Sequence, residues 1–526
     1  MKVLVMDGVA ENGMTALKQE PGIEVVFGSK MTEDELIEVV GAYDGLIVRS
    51  ATQVTARVIE KASKLKVVGR AGVGVDNIDV DAATAKGVLV VNAPGGNTIA
   101  AAEHTVAMML SLARNIPQAN ASLHAGKWDK KAFMGAELRN KVLGVIGLGR
   151  IGSAVAKRAQ GLEMKVVAYD PYITIEKAGT AGVELLPLDQ VFAQADFITV
   201  HLPLTGESEH IIGEKAFSMM KEGVRIINCA RGGIVDEQAL YDAMKSGKVA
   251  GAALDVFEKE PDTKSPLFEL NNFIATPHLG ASTREAQLSV AFDVAGEIVA
   301  ALKGELVKNT VNIPSLSPKT MAAIRPYISL AEKMGRFVAQ VVCGRIKEVE
   351  VTYSGDLANQ EINPITTAVA KGFLDLILQD RVNFVNAAML ARNRGINVIQ
   401  KQAGENGDYA NLLTVKAVSN KGEILVSGTI FGGEDARIVS VDGYHVDAVP
   451  EGHILYIPHI DKPRIIGPVG NLIGTHNINI SGMQVGRKAI GGKAVMLLTV
   501  DNRVPRETLD EIAKIDGVLG VKNVSI

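Results

Sequence analysis

Cysteine is scarce in this sequence: two in 526 residues, Cys229 and Cys343. They form neither a CxxC pair nor a cluster with metal-ligand spacing, so disulfides are not the scaffold, no metal site is expected, and a reducing compartment is suited. Long apolar runs are also missing, and no stretch approaches the roughly 20 residues that span a bilayer. Neither sign of charge dominates, with 55 Lys and Arg against 59 Asp and Glu and a formal net charge of -4. No global field draws the chain to nucleic acid or to an anionic membrane, and neither is an expected partner; an anionic substrate must be held by locally placed cations. The opening MKVLVMDGVAENGM reaches acidic residues at once and reads as a first β-strand rather than a signal peptide, so the cytoplasm is the expected address.

What is present is ordinary globular material, 47% apolar and 22% charged, which argues against long disordered tracts. The length implies two to four compact units. Short β-branched runs recur through the first hundred residues, KVLVM, IEVVF, DGLIV, LKVVG and GVLVV, and predict a parallel α/β sheet. From Asn97-Thr98 the alanine-rich stretch TIAAAEHTVAMMLSLARN has helical period with Thr98 as its candidate N-cap, and is expected to carry the chain into a second lobe. Six apolar runs follow there, KVLGVIG, KVVAYD, DFITVHL, GVRIINC, VAGAALDV and NFIATP, which suit a doubly wound dinucleotide sheet. After Ser282 a second long helix is placed to return the chain to the first lobe, so the nucleotide lobe reads as an insertion.

NIPSLSPKT reads as a linker near residues 312–320. Beyond it come a helix from about Met321 to Val342, a strand, one helical stretch PITTAVAKGFLDLILQDRVNFVNAAMLARN, and several strands up to Val449, without a chemical motif. The last seventy or so residues run β-α-β-β-α-β, a ferredoxin-like module. The expected division is 1–97 with 283–312 as a substrate-binding domain, 98–282 as a Rossmann domain, 318–450 as an intervening α+β domain, and 453–526 as the C-terminal module.

Gly147, Gly149 and Gly152 form G-x-G-x-x-G directly after a strand and at the opening of a helix. Gly147 permits the tight turn, Gly149 lets backbone approach a pyrophosphate, Gly152 lets helix and sheet pack, and the helix N-terminus offers N–H groups to anions. Asp170 ends the next strand, where a carboxylate accepts ribose hydroxyls and repels a 2′-phosphate, favouring NAD over NADP. Arg231, Glu260 and His278 each lie just beyond the carboxyl end of a predicted strand, the edge where open α/β sheets bind ligands. His278 suits transfer of a hydroxyl proton, Glu260 would hold its imidazole, and Arg231 offers a planar fork to a carboxylate. Each alone also reads as a surface turn, a loop stop or a capping histidine; jointly, in this order, they favour a dehydrogenase. In the first lobe Arg49, Arg70 and the Pro94–Asn97 turn are candidates for holding anionic groups, beside their ordinary reading as solvated arginines and turn residues.

GRAGVGVDNID, GLGRIG with Asp170, NCARGGIVDE, LDVFEKEP and TPHLGAST together resemble the D-isomer-specific 2-hydroxyacid dehydrogenases over residues 1 to about 310. The resemblance implies a flavodoxin-like substrate domain around the Rossmann domain, Arg231 and Glu260 in the active site, and His278 as proton donor. It also implies NAD contacts at Arg150, Ile151, Asp170, Cys229 and Asp255. The two further C-terminal units resemble those of the long members, which oxidise 3-phosphoglycerate to 3-phosphohydroxypyruvate at the start of serine synthesis and are usually tetramers. The last unit resembles an ACT domain, with L-serine as effector near Asp461 and Asn479 between two such units. The sequence departs from that pattern at Arg464, where members usually have glycine, and serine control is expected to be weakened. Two alternatives remain open: a glyoxylate or hydroxypyruvate reductase, and an inactive regulatory protein that binds NAD or an amino acid.

Overall fold

The computed structural model describes residues 1–526 apart from 379–381 and 405–407. The first five apolar runs become β1 (Lys2–Val5), β2 (Glu24–Phe27), β3 (Gly45–Val48), β4 (Val67–Arg70) and β5 (Leu89–Asn92), all parallel in the order β2-β1-β3-β4-β5. This is the flavodoxin-like order. Every residue of β3 is buried, as expected of a strand covered on both faces.

A helix, α1 (Thr98–Arg114), leads into the second sheet, and its Met108, Met109 and Leu112 sit in that sheet's core. Asn97 occupies the cap position without a side-chain capping bond, so the expected Thr98 cap is displaced by one residue; a turn closed by the Gly95 carbonyl already binds the Thr98 N–H. The second sheet holds β6 (Val142–Ile146), β7 (Lys165–Tyr169), β8 (Glu184–Leu185), β9 (Phe197–Val200), β10 (Val224–Asn228), β11 (Val249–Leu254) and β12 (Phe273–Ala275). They run parallel in the order β12-β11-β10-β9-β6-β7-β8, which reverses at the β6/β9 boundary in the doubly wound manner. The six expected strands are all present. The seventh, β8, has two residues, too few for any periodicity to register.

Between β6 and β7 runs α2 (Arg150–Gly161), and α3 (Arg284–Lys303) returns the chain, burying Val290, Ala291, Val294 and Ile298 against the first sheet. The chain then covers the open edge of β5: the Val311 N–H donates to the Val90 carbonyl at 2.8 Å, and the Val90 N–H to Asn312 Oδ1 at 2.9 Å. An unpaired edge is thereby removed.

Two long helices, α4 (Pro318–Val341) and α5 (Asn363–Asp375), pack on a mixed sheet of β13 (Ile346–Gly355), β14 (Asn397–Ala403), β15 (Asn411–Ser419), β16 (Gly422–Phe431), β17 (Asp435–Val441) and β18 (Tyr444–Ala448). The single helical stretch expected here is broken into α5 and α6 (Ala387–Asn393), and part of it, 379–381, lies outside the described residues. Asn383 and Asn386 supply the reason. Asn383 Oδ1 accepts from the Val385 and Asn386 N–H groups, and the Asn383 N–H donates to Asn386 Oδ1 at 2.8 Å. Such local bonds compete with the helical ladder. Asn383 Nδ2 also donates to the Gly87 carbonyl at 2.7 Å, tying this unit to the first lobe.

The C-terminal module has β19 (His453–Ile460), α7 (Ile466–Thr475), β20 (Ile480–Arg487), β21 (Lys493–Val500), α8 (Arg506–Ala513) and β22 (Lys522–Ser525), with antiparallel sheet order β20-β21-β19-β22. One face of it shares a core with α4: Tyr456, Leu497 and Val524 join the cluster around Phe337, and Gln340 exchanges two hydrogen bonds with the Ser525 backbone. Among the described residues no helix is long and apolar enough to cross a membrane.

The α4–α5 pair approaches closely because Gly335 and Gly372 face it; a Cβ on Gly372 would lie 2.1 Å from the Glu332 carbonyl oxygen. Backbone cannot swing aside as a side chain can, so Gly372→Ala should force the helices apart and cost about 1–3 kcal/mol. A lowered unfolding midpoint of the C-terminal half by circular dichroism checks this; an unchanged midpoint contradicts it.

Candidate active site

At the β6/β9 boundary the chain turns through Gly147, whose φ is +93° and whose Cβ would lie 2.6 Å from the His201 carbonyl oxygen. Gly152, in the first turn of α2 with Arg150 and Ile151, would place a Cβ 2.0 Å from the Gly147 oxygen. A side chain at either position breaks the loop. Gly149 differs: no protein atom lies within 4 Å of its Cβ direction, so the backbone faces open space at the N-terminus of α2, where no side chain caps the helix. That is the geometry of a pyrophosphate cradle. Asp170, just past β7, accepts the Leu148 N–H at 2.8 Å and the Tyr172 N–H at 2.9 Å. The carboxylate expected to meet the ribose thus also fastens the glycine loop.

Across the sheet, β12 ends at Ala275 and His278 follows with φ +56°, an uncommon backbone for a residue with a side chain. Its Nδ1 lies 2.7 Å from Glu260 Oε2, which leaves Nε2 for a substrate. Glu260 Oε1 accepts the Phe257 N–H at 3.0 Å. The hydrogen bond to Glu260 raises the His278 pKa above its ordinary 6.5 against the opposing effect of burial. Burial disfavours the Glu260 carboxylate, but the bonds from His278 and Phe257 outweigh it and leave its pKa lowered.

Asp255, fully buried at the end of β11, holds the loop that carries His278. It accepts the Leu279 N–H at 2.7 Å, the Gly280 N–H at 2.8 Å and the Thr276 hydroxyl, and lies 3.2 Å from His104 Nε2 on α1. Desolvation opposes its charge, yet these donors prevail and its pKa is lowered. Beside it the Cys229 thiol is pushed up to about 12, by burial first and by Asp255 second, so it stays protonated and offers contact rather than nucleophilic chemistry.

Three guanidinium groups meet in the cleft. Arg231, in the turn after β10, pairs through Nε with Asp76 Oδ2 at 3.1 Å. Arg70 ends β4, and burial together with the Arg231 and Arg49 charges pushes its pKa down to about 10. Arg49 follows β3, its N–H held by Asp7 at 2.7 Å. Asn97, at the cap of α1, has a buried Oδ1 without a hydrogen-bond partner among the described residues.

The description "D-isomer specific 2-hydroxyacid dehydrogenase, NAD binding domain" matches residues 106–280, and "D-3-phosphoglycerate dehydrogenase intervening domain" matches 323–442. The D-3-phosphoglycerate dehydrogenase of Archaeoglobus fulgidus is 48% identical over the full length of both chains. That of Bacillus subtilis is 43% identical over all of this chain and 99% of its own. The chain belongs to the D-isomer specific 2-hydroxyacid dehydrogenase family. A solved D-lactate dehydrogenase from Aquifex aeolicus, in complex with NAD and lactic acid, aligns over its whole length with 60% of this chain at TM-score 0.53 and 31% identity. A glyoxylate reductase from Paecilomyes thermophila aligns over 59% of this chain and 98% of its own, with TM-score 0.55 and 29% identity. The protein is an NAD-dependent oxidoreductase of that family.

Arg231, Glu260 and His278 come together, Arg70 adjoins both Arg231 and Arg49, Asn97 stands apart at the cap of α1, and the glycine loop with Asp170 opens at the carboxyl edge of the sheet that carries Arg231 and His278. Asp461 and Asn479 are not brought together. Asp461 sits by the Lys493 end of β21, ion-paired with Arg487 at 3.0 Å, whereas Asn479 bonds Asp501 past the Val500 end. The eight residues of β21 separate them by roughly 25 Å. Sequence reasoning did not single out His104, Asp76, Asn77 or Thr276. Asp76 and Asn77 stood inside a quoted motif, and His104 looked like any polar residue of α1.

Reduction of a keto acid needs His278 protonated and oxidation needs it neutral. With the pKa raised, reduction is sustained to pH above 6.5 and falls as pH rises through the shifted value, while oxidation falls as pH drops through it. Glu260→Gln removes the charge responsible, so the reductive limb should move to lower pH in a kcat/KM–pH profile. A limb that stays in place contradicts the assignment.

Proposed function

We propose that this enzyme oxidises 3-phosphoglycerate to 3-phosphohydroxypyruvate with NAD, the step that opens serine synthesis. The observation that carries the reading is the convergence of Arg49, Arg70 and Arg231 from two lobes on one cleft, with Arg70 largely buried. Like charges so placed are costly without anions between them. Asp76 and Asp7 offset part of this charge, and a substrate bearing both a carboxylate and a phosphate answers the remainder better than one with a lone carboxylate. The full-length relatives named D-3-phosphoglycerate dehydrogenase support the same substrate.

In this reading Arg231 binds the carboxylate, and Arg49, Arg70 and Asn97 bind the remainder of the substrate. His278 Nε2 takes the 2-hydroxyl proton as the hydride leaves C2, and Glu260 stabilises the imidazolium formed. NAD supplies the hydride acceptor when bound. The glycine loop, Arg150, Ile151, Asp170, Cys229 and Asp255 would hold it.

The proposed units are those outlined from the sequence, with the C-terminal module as an ACT domain. Since Asp461 and Asn479 lie at opposite ends of β21, an effector touching both requires two copies, which supports a homo-oligomer, in our reading a tetramer. Trp128 and Met134, 86% and 85% exposed, offer a second self-association surface. Serine control should be weak, because Arg464 holds a φ of +70° in the loop after β19 and Asp461 is engaged by Arg487. The cytoplasm is the proposed location, with no nucleic-acid or membrane partner.

Purified protein should oxidise NADH far faster with 3-phosphohydroxypyruvate than with hydroxypyruvate, glyoxylate, pyruvate or 2-oxoglutarate at matched concentrations, and added serine should give no saturable inhibition. Preference for an unphosphorylated acid overturns the substrate, no oxidation at all overturns the catalytic reading, and clear serine saturation overturns the regulatory one. His278→Asn should keep NADH affinity and lose about 10²–10⁴-fold in kcat; unchanged turnover would remove His278 from the mechanism.

A further inference from the structure

The turn after β4, Gly72-Val73-Gly74-Val75-Asp76-Asn77, touches the arginines of both lobes. Two of its glycines lie under guanidinium groups. A Cβ on Gly72 would fall 2.2 Å from Arg70 Nη1, and one on Gly74 would fall 1.9 Å from Arg231 Nη2. The next two side chains grip the same arginines from the edge. Asn77 Oδ1 accepts from Arg70 Nε at 3.1 Å, and Asp76 Oδ2 accepts from Arg231 Nε at 3.1 Å. Asn77 also donates through Nδ2 to the carbonyls of Arg49, at 2.7 Å, and Thr52, at 2.6 Å. The loop bearing the third arginine is thereby joined to the same turn. In both Arg70 and Arg231 the Nε edge is occupied by this turn, and Arg231 reaches it across the interlobe cleft.

We propose that the Gly72–Asn77 turn determines substrate specificity: it seats the Arg70 and Arg231 guanidiniums over two glycines, clamps them with Asn77 and Asp76, and so fixes the spacing between two anion-binding positions. The inference rests on the reading that these arginines hold the two anionic groups of one substrate. Its ligand class is a short 2-hydroxy or 2-keto acid with a second, strongly anionic terminus. Gly72, Gly74, Asp76 and Asn77 act as positioning residues through the arginines. An alkyl group at Gly72 or Gly74 meets the mobile end of a side chain, so Gly72→Ala and Gly74→Ala shift a guanidinium while leaving the backbone its room.

The test compares kcat and KM for 3-phosphohydroxypyruvate and hydroxypyruvate in wild type, Gly72→Ala, Gly74→Ala, Asp76→Ala, Asp76→Asn and Asn77→Ser, with NADH Kd and thermal midpoint for each. Gly72→Ala and Asn77→Ser, which disturb Arg70, should raise KM for the phosphorylated acid about tenfold and change that for hydroxypyruvate less than about threefold. Gly74→Ala and Asp76→Ala, which disturb Arg231, should lower kcat/KM about tenfold on both acids, since both carry the carboxylate. Asp76→Asn keeps an acceptor oxygen and should recover most of that loss. NADH Kd should stay constant throughout, and the thermal midpoint should hold in both glycine variants.

Glycine variants that keep the wild-type kinetics overturn the proposal, as do variants whose only change is a lower midpoint with weaker NADH binding. A wild type that prefers the phosphorylated acid, with Gly72→Ala and Asn77→Ser retaining that preference, overturns the specificity role and leaves the functional reading intact. A wild type without that preference overturns the functional reading; Gly74→Ala then still decides the seat of Arg231, because every 2-keto acid presents a carboxylate there.

Discussion

The active site depends on one buried carboxylate. Asp255 has no exposure to solvent, and a charge in that position is tolerated only when its oxygens are fully engaged. Its partners come from three places: His104 on α1, the Thr276 hydroxyl after β12, and the N–H groups of Leu279 and Gly280. By satisfying itself it binds the interlobe helix to the edge of the nucleotide sheet. It also closes the loop in which His278 is held at positive φ. That backbone costs free energy for a non-glycine residue, and the bonds to Asp255 on both sides of His278 supply the compensation. Without them the imidazole has no fixed relation to Glu260.

The same economy of contacts organises the substrate side. Arg70 and Arg231 come from different lobes, separated in sequence by the whole glycine-loop region, yet each is gripped by the turn after β4. The fold brings the carboxyl ends of both sheets to face one cleft by means of α1 and α3, so residues at strand ends become neighbours. In the proposed reading, proton transfer, carboxylate recognition and nucleotide binding thus occupy separate strand ends without competing for one loop.

Among the described residues the C-terminal half adjoins the first lobe beside α6. Asn383 reaches the Gly87 carbonyl on the first lobe. Tyr456, Leu497 and Val524 of the last unit lie in the core built around α4. The last two units therefore share packing through α4.

Much of this was legible in sequence because it depends on local periodicity and on backbone requirements that only certain residues meet. Parallel strands buried on both faces leave apolar runs. The glycine turn needs Gly147 and Gly152 because a Cβ would strike backbone. An arginine, a carboxylate and a histidine at successive strand ends suit proton transfer and carboxylate binding. The break between α5 and α6, the two-residue β8 and the Asn97 cap were not legible, since each is settled by side-chain bonds or edge pairing that leave no period. His104, Asp76 and Asn77 were invisible as functional residues for a related reason: polar side chains on a helix or turn look solvated until the fold brings their partners, Asp255, Arg231 and the Arg49 carbonyl, beside them. Local sterics and chemistry made most of the element order, the glycine turn and the three polar residues at strand ends readable from the chain alone. Only the tertiary structure decided which carboxylate organises the histidine and which turn seats the arginines, because both follow from contacts between segments that come together only when the two lobes pack.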